Sequence, residues 1–271
     1  MLAAFDRMNL YRFVLWYLAI LYLAAAVLAA AGALPYRVSD LGFSLLLIAA
    51  ACWITNRLFA VAFRAPSQPR SVWITALILA MILTPVGLRD LNGIGFACFA
   101  AAWAMASKYM LAVRKRHIFN PAAFGTVLAA LALDHSAIWW VGGSLWLMPI
   151  IVGGGLVVAR KLRGFDVVAA YGVAALAVTA ATSAVPWQAM TQMLLHSMFL
   201  FFAFVMMTEP RTLPRRQAWR IAYGAIVGGL CAPAVHFGAF YFTPELALVT
   251  GNLAVLPARL ALRSCQRQPA A

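Results

Sequence analysis

Asn120 and Pro121 stand between a cationic run and an apolar one, in KRHIFNPAAFG (residues 115–125). Asn is a good N-cap, and Pro is tolerated in the first helical turn because its missing N–H would have no partner there. A helix start also presents unpaired N–H groups and the positive end of a dipole. Beside Lys115 and Arg116, such a start suits a polar or anionic ligand. A second cluster, TEPRTLPRR (208–216), places Thr208, Glu209 and Arg211 after another apolar run. Asn120, Pro121, Thr208 and Glu209 are therefore candidates to line a buried polar site. Lys115, Arg116 and Arg211 would stand at its edge, flanked by Arg114, Arg215 and Arg216. For any single arginine, membrane topology alone is the simpler explanation.

The surrounding elements must be membrane helices. The chain has 271 residues, of which 65% are hydrophobic and only 10% charged, against about 25% charged in soluble proteins. Its mean hydropathy is +0.89. Ten apolar segments can be marked, at about 13–34, 41–62, 72–86, 94–113, 120–133, 138–159, 166–184, 190–207, 219–240 and 244–262. Most approach the roughly 20 residues that cross a ~30 Å hydrocarbon core. The first is too long for the apolar region of a signal peptide. No connection is long enough to divide the chain, so residues 1–271 form one membrane domain.

Alternating the connections between two sides gathers all 21 Lys and Arg except Arg37 and Arg89 with the two termini. By the positive-inside rule both termini are cytoplasmic. The net charge of +14 is then mainly a topology signal. No basic segment is interleaved with aromatics as nucleic-acid binding would require, so no nucleic acid is expected. The same basic face could dock an acidic soluble partner.

The two halves, about 10–134 and 135–265, repeat a pattern. ILTPVG contains Thr84 and MMTEPR contains Thr208. Thr84 precedes the Phe119 of FNPAAFG by 35 residues, and Thr208 precedes the Phe242 of FTPELALVTGNLAVL by 34. Each half reads as five segments, with a Thr-Pro break at the end of the third and a Phe-polar-Pro start to the fifth. Five is odd, so the second copy enters from the opposite side, as in transporters built from inverted repeats. The expected fold is all-α and polytopic, with ten segments in two inverted five-helix repeats. Short or broken helices fall near 84–85, 120–121, 208–210 and 243–244, and Thr84 joins the candidate site by this correspondence. Residues 120–133 make only ~21 Å of helix, and 243–258 are similarly short. Their capped starts are expected inside the membrane, facing a polar cavity.

Other chemistry is sparse. Cys52, Cys98, Cys231 and Cys265 form no CxxC, so no metal site is signalled. His196 and His236 fall at similar depth, but lone intramembrane histidines more often line cavities than clamp haem. No nucleotide loop, nucleophile elbow or carboxylate pair is present, and Gly153-Gly154-Gly155 reads as a helix contact. The chain has no complete active site of its own.

HIFNPAAFG, FFAFVMMTEPRTLPRR and FTPELALVTGNLAVLPARL resemble, in order, the conserved stretches of the NqrB/RnfD family. These are the large membrane subunits of the sodium-pumping NADH:quinone reductase and of the Rnf ferredoxin:NAD oxidoreductase. The resemblance runs from about the second segment to the end. It implies ten helices in two inverted halves, as in urea and ammonium channels. It also implies a place in a bacterial inner-membrane electron-transport complex, with a soluble flavoprotein, a ferredoxin-reductase-like protein or other Rnf-type subunits as partners. Family members carry covalent FMN on the threonine of an SGAT-like motif after the fifth helix. Here that stretch is DHSAI (134–138), without a threonine, and the nearest lookalike, around Thr182, lies in another segment. Covalent FMN and haem are not expected; non-covalent FMN or riboflavin, or a quinone, remain. The alternative is a channel or transporter for a small solute on the same fold.

Overall fold

The computed structural model describes residues 9–67, 69–113, 116–238 and 240–261. The helices are α1 (Leu10–Ala30), α2 (Val38–Ala62), α3 (Pro69–Ile82), α4 (Leu91–Met110), α5 (Pro121–Leu133) and α6 (Met148–Leu162). They continue with α7 (Phe165–Thr182), α8 (Pro186–Leu195), α9 (Phe199–Met206), α10 (Gln217–Leu230), α11 (Pro244–Ala254) and α12 (Leu256–Ala261). Two small antiparallel hairpins interrupt them. One pairs β1 (Ala112–Val113) with β2 (Arg116–His117), the other β3 (His236–Phe237) with β4 (Phe240–Tyr241).

Among the described residues three helices, α1, α2 and α7, are long and apolar enough to cross a membrane, and the bent pair α8–α9 makes a fourth if counted as one span. Helix α1 shows why lipid is the required solvent. Trp16, Ile20, Leu23 and Val27 recur at helical spacing and are all more than half exposed, while Tyr17, Leu18, Leu21 and Ala25 are buried. An outward stripe of large apolar side chains in water would be an aggregation surface. Leu46, Ile54, Leu58 and Val61 repeat the pattern on α2.

Inside, small residues let helices approach closely, as membrane packing favours. A Cβ on Gly125 of α5 would stand 2.2 Å from the Ala100 carbonyl oxygen of α4, so only glycine fits. The two halves share a packing pattern. The first helix lies on the third (α1 on α3; α6 on α9), the second on the fourth (α2 on α4; α7 on α10), and the fourth on the fifth (α4 on α5; α10 on α11).

The helix ends follow local chemistry. Asp90 caps α4 through Gly93 N–H at 2.9 Å, Asn120 caps α5 through Ala123 N–H, and Thr243 caps α11 through Leu246 N–H. The breaks fall close to the expected places, since α3 ends at Ile82, α5 starts at Pro121, α9 ends at Met206 and α11 starts at Pro244.

The tenth segment is broken at Val255 into α11 and α12, and three others depart further from the hydropathy reading. The sixth, read as 138–159, is helical only from Met148. Trp139 and Trp140 run inward as buried, non-helical chain. The N–H groups of Ile138 and Trp139 donate to the Ile82 carbonyl, and Trp140 Nε1 donates to that of Ala80 at 3.0 Å. The stretch thus satisfies carbonyls that the short α3 leaves open. The eighth bends by 62° between α8 and α9. There Ser197 Oγ bonds the Met193 carbonyl and the Phe199 N–H, entering the helical ladder, and residues Phe202–Met206 are wound as π-helix. The ninth stops at Leu230 before Pro233, and the chain turns back through Gly238 at φ +61°.

Candidate functional site

Asn120 is 3% exposed and uses every polar atom. Its Oδ1 accepts from Ala123 N–H at 3.2 Å, and its own N–H donates to Asn252 Oδ1 of α11 at 2.8 Å. Its Nδ2 reaches the carbonyl of Met206 at 3.5 Å, at the end of α9. Asn252 Nδ2 in turn donates to the Tyr223 hydroxyl of α10 at 2.8 Å, and both residues are fully buried. One cap therefore joins the short helix of the first half to three elements of the second.

Beside the cap lies a cavity of ≈ 60 Å³. Asn120, Pro121, Thr208, Glu209 and Arg211 line it from the two sequence clusters, and Tyr11, Ser71 and Thr75 join them from α1 and α3. Val14, Ile74, Ile78 and Phe204 make its walls largely apolar. It shares Tyr11 and Ser71 with an open cleft of ≈ 510 Å³ reaching Asn9, Ser67 and Arg70.

Charge gathers behind the polar end. Lys108 Nζ donates to the Ser71 carbonyl (2.9 Å), Ser71 Oγ (3.1 Å) and Thr75 Oγ1 (2.8 Å). Arg211 Nε donates to the Tyr11 hydroxyl at 3.2 Å, and its Nη1 to His117 Nε2 at 3.1 Å. A guanidinium cannot accept, so His117 carries its ring proton on Nδ1. Burial, reinforced by Lys108 and Arg211, lowers the His117 pKa to about 3 and keeps the ring neutral. Burial raises the Glu209 carboxyl to about 7, although Lys108 and Arg211 pull the other way. Thr212 Oγ1 lies 3.4 Å from Glu209 Oε2. Arg259 closes the base, donating to the carbonyls of Ile118, His117 and Arg211 at 2.8–2.9 Å. The result is an apolar slot whose far end offers fixed hydrogen bonds and one carboxyl poised to exchange a proton near neutral pH.

The candidate residues do not all meet here. Thr84 is exposed and follows the far end of α3 from Ser71, so it is not part of the cavity. The sequence pattern pairs it with Thr208, but only Thr208 lines the cavity. Arg116 sits in β2 without lining the cavity. Lys115 and Arg114 lie outside the described residues. Among the other candidates, His196 is exposed after α8, and Thr182 ends α7 with its hydroxyl bonded to the Val178 carbonyl.

Lys108, Ser71, Thr75, Tyr11, Asn252 and Tyr223 were not singled out from the sequence. Lys108 left a usable signal, since a lone cation inside an apolar segment marks a polar site by default. The others are ordinary residues that only tertiary packing brings together. No family model matches the chain, and no curated protein is similar enough to match it.

Proposed function

We propose that the chain is a membrane electron-transfer subunit of the NqrB/RnfD kind. It passes electrons between a soluble flavoprotein or ferredoxin-type partner and a flavin or quinone held in the membrane domain. The observation that carries this reading is the cavity itself, an apolar slot ending in Asn120, Glu209 and Arg211. A planar ring ligand needs apolar walls for its faces and hydrogen-bonding groups at one edge, and these residues supply both. The ≈ 60 Å³ slot takes the edge of such a ring, and the adjoining cleft takes the rest. When bound, a flavin or quinone would supply the redox chemistry. The chain's own residues would orient it and, at Glu209, hold or release a proton.

In this reading the ten segments form two inverted halves with both termini in the bacterial cytoplasm. The repeated packing pattern of the two halves supports that arrangement. The basic connections around Arg160, Arg163, Arg215 and Arg216 then face the soluble partner. Against a solute channel stands the bonding of Asn120 to Asn252 and of Asn252 to Tyr223, which ties the cap beside the slot to α11 and α10.

The deciding measurement is an absorption spectrum of the purified protein before and after reconstitution with FMN, riboflavin or a quinone. Bound chromophore that dithionite reduces supports the proposal. A colourless protein that takes up none of the three, yet conducts a small solute across liposomes, would replace it with the channel reading.

A further inference from the structure

Glu245 is the second residue of α11 and is 3% exposed. Its Oε1 accepts from Trp139 Nε1 at 3.0 Å, while Oε2 is buried without a hydrogen-bond partner. The Glu245 carboxyl is near enough to act electrostatically on the Cys231 thiol at the end of α10, and that thiol meets the Tyr171 hydroxyl of α7. That hydroxyl is fully buried and makes no hydrogen bond of good geometry. The groups facing Glu245 are the Trp139 indole, the Cys231 thiol, and the Thr243 side chain and its own backbone N–H at the helix start; among the described residues no Lys, Arg or His acts on it.

A bare carboxylate in such a place must be neutralised by a cation or by a proton. A metal ion would need several oxygen ligands, and among the described residues no second carboxylate acts on Glu245. No group of three His, Cys, Asp or Glu is assembled among the described residues. We infer that Glu245 is a proton-binding site: its carboxyl carries a proton on Oε2, in a buried setting shared with Trp139, Cys231 and Thr243, apart from the Asn120 cavity. The site is tied to that cavity through one helix. Asn252, which holds Asn120, is seven residues further along α11, on the same face and about 10 Å away along the axis. Loading or emptying the Glu245 site therefore acts on the helix that fixes the cavity's cap.

Dicyclohexylcarbodiimide tests this on the purified full chain. It reacts with a protonated carboxyl in an apolar setting: the acid's oxygen bonds to the carbodiimide carbon, its proton passes to one nitrogen, and the adduct rearranges to a stable N-acylurea. Peptide mapping at neutral pH should find the adduct on Glu245, while a water-soluble carbodiimide leaves that residue unmodified. Sodium or potassium ions should give no protection. The infrared carbonyl band of a protonated carboxyl should weaken in Glu245→Gln, which settles the case if the reagent cannot enter. Loss of no such band, labelling by the water-soluble reagent, or protection by an alkali cation would each overturn the assignment.

Discussion

The backbone N–H of Asn120 donates to the side-chain oxygen of Asn252, 2.8 Å away and 132 positions along the chain. Both residues are buried, and each belongs to a short helix that begins with a capped proline. The bond ties α5 to α11 beside the cavity that Asn120 lines. Replacing Asn252 by Leu leaves the Asn120 N–H and the Tyr223 hydroxyl without their partner. An orphaned buried group costs about 1–3 kcal/mol, so Asn252→Leu should melt earlier in detergent, and Tyr223→Phe by less. Equal melting of wild type and Asn252→Leu would show that the bond holds nothing together.

Helix crossing supplies a sharper contrast. At Gly125 an added Cβ meets backbone, 2.2 Å from the Ala100 oxygen, whereas at Gly153 it meets nothing within 4 Å. Gly125→Ala should lose roughly 1–3 kcal/mol or more through overpacking. Gly153→Ala should gain up to about 1 kcal/mol from helix propensity. Thermal melts of the two variants should move in opposite directions; a shift of the same sign would contradict the α4–α5 contact.

These caps were legible in the sequence because Asn-Pro and Thr-Pro are local signals, decided within one turn. The cavity was legible in part for the same reason: Asn120, Glu209 and Arg211 belong to short motifs. Thr84 falls outside this cavity because a repeated pattern fixes correspondence, not proximity. The stretch 138–147 read as helix because Trp and Val add to an apolar run equally in either conformation. Its inward path is set by the open carbonyls of Ala80 and Ile82, which no local pattern reveals. Asn252 and Tyr223 owe their roles to neighbours far along the chain.

Glu209 and His117 make opposing contributions to stability as pH changes. The folded carboxyl titrates near 7 against 4.5 when free, so the folded state holds an extra proton between those values, and stability falls as pH rises through them. The folded imidazole titrates near 3 against 6.5, so the unfolded state holds the extra proton, and stability rises with pH up to about 6.5. Each slope is at most about 1.4 kcal/mol per pH unit. Wild type should therefore be nearly flat between pH 4.5 and 6.5. Glu209→Gln should gain stability with rising pH across that window, and His117→Gln should lose it. Melting temperatures in detergent decide the matter, and parallel profiles for the two variants would refute the assignment.

Orientation has its own test. With both termini in the cytoplasm, Cys265, which lies outside the described residues, should resist an impermeant thiol reagent in intact cells. It should react after permeabilisation. Labelling from outside would reverse the proposed topology and move the basic connections away from any cytoplasmic partner.

The cavity's role rests on the cap that lines it. Asn120→Leu removes the side chain that accepts from Ala123 N–H and reaches Met206, but leaves the backbone bond to Asn252 in place. Loss of a cap costs about 0.5–2 kcal/mol, less than a packed bundle needs in order to unfold. The variant should insert and melt within a few degrees of wild type. It should nevertheless bind flavin or quinone at least tenfold more weakly and slow dithionite-driven reduction of the bound ligand in proportion. Arg57→Gln, on an exposed part of α2 remote from the slot, should change neither. Under a purely structural role for Asn120-Pro121, the two variants would bind ligand equally well. That result would take the site away from this cavity, even if the protein proved coloured.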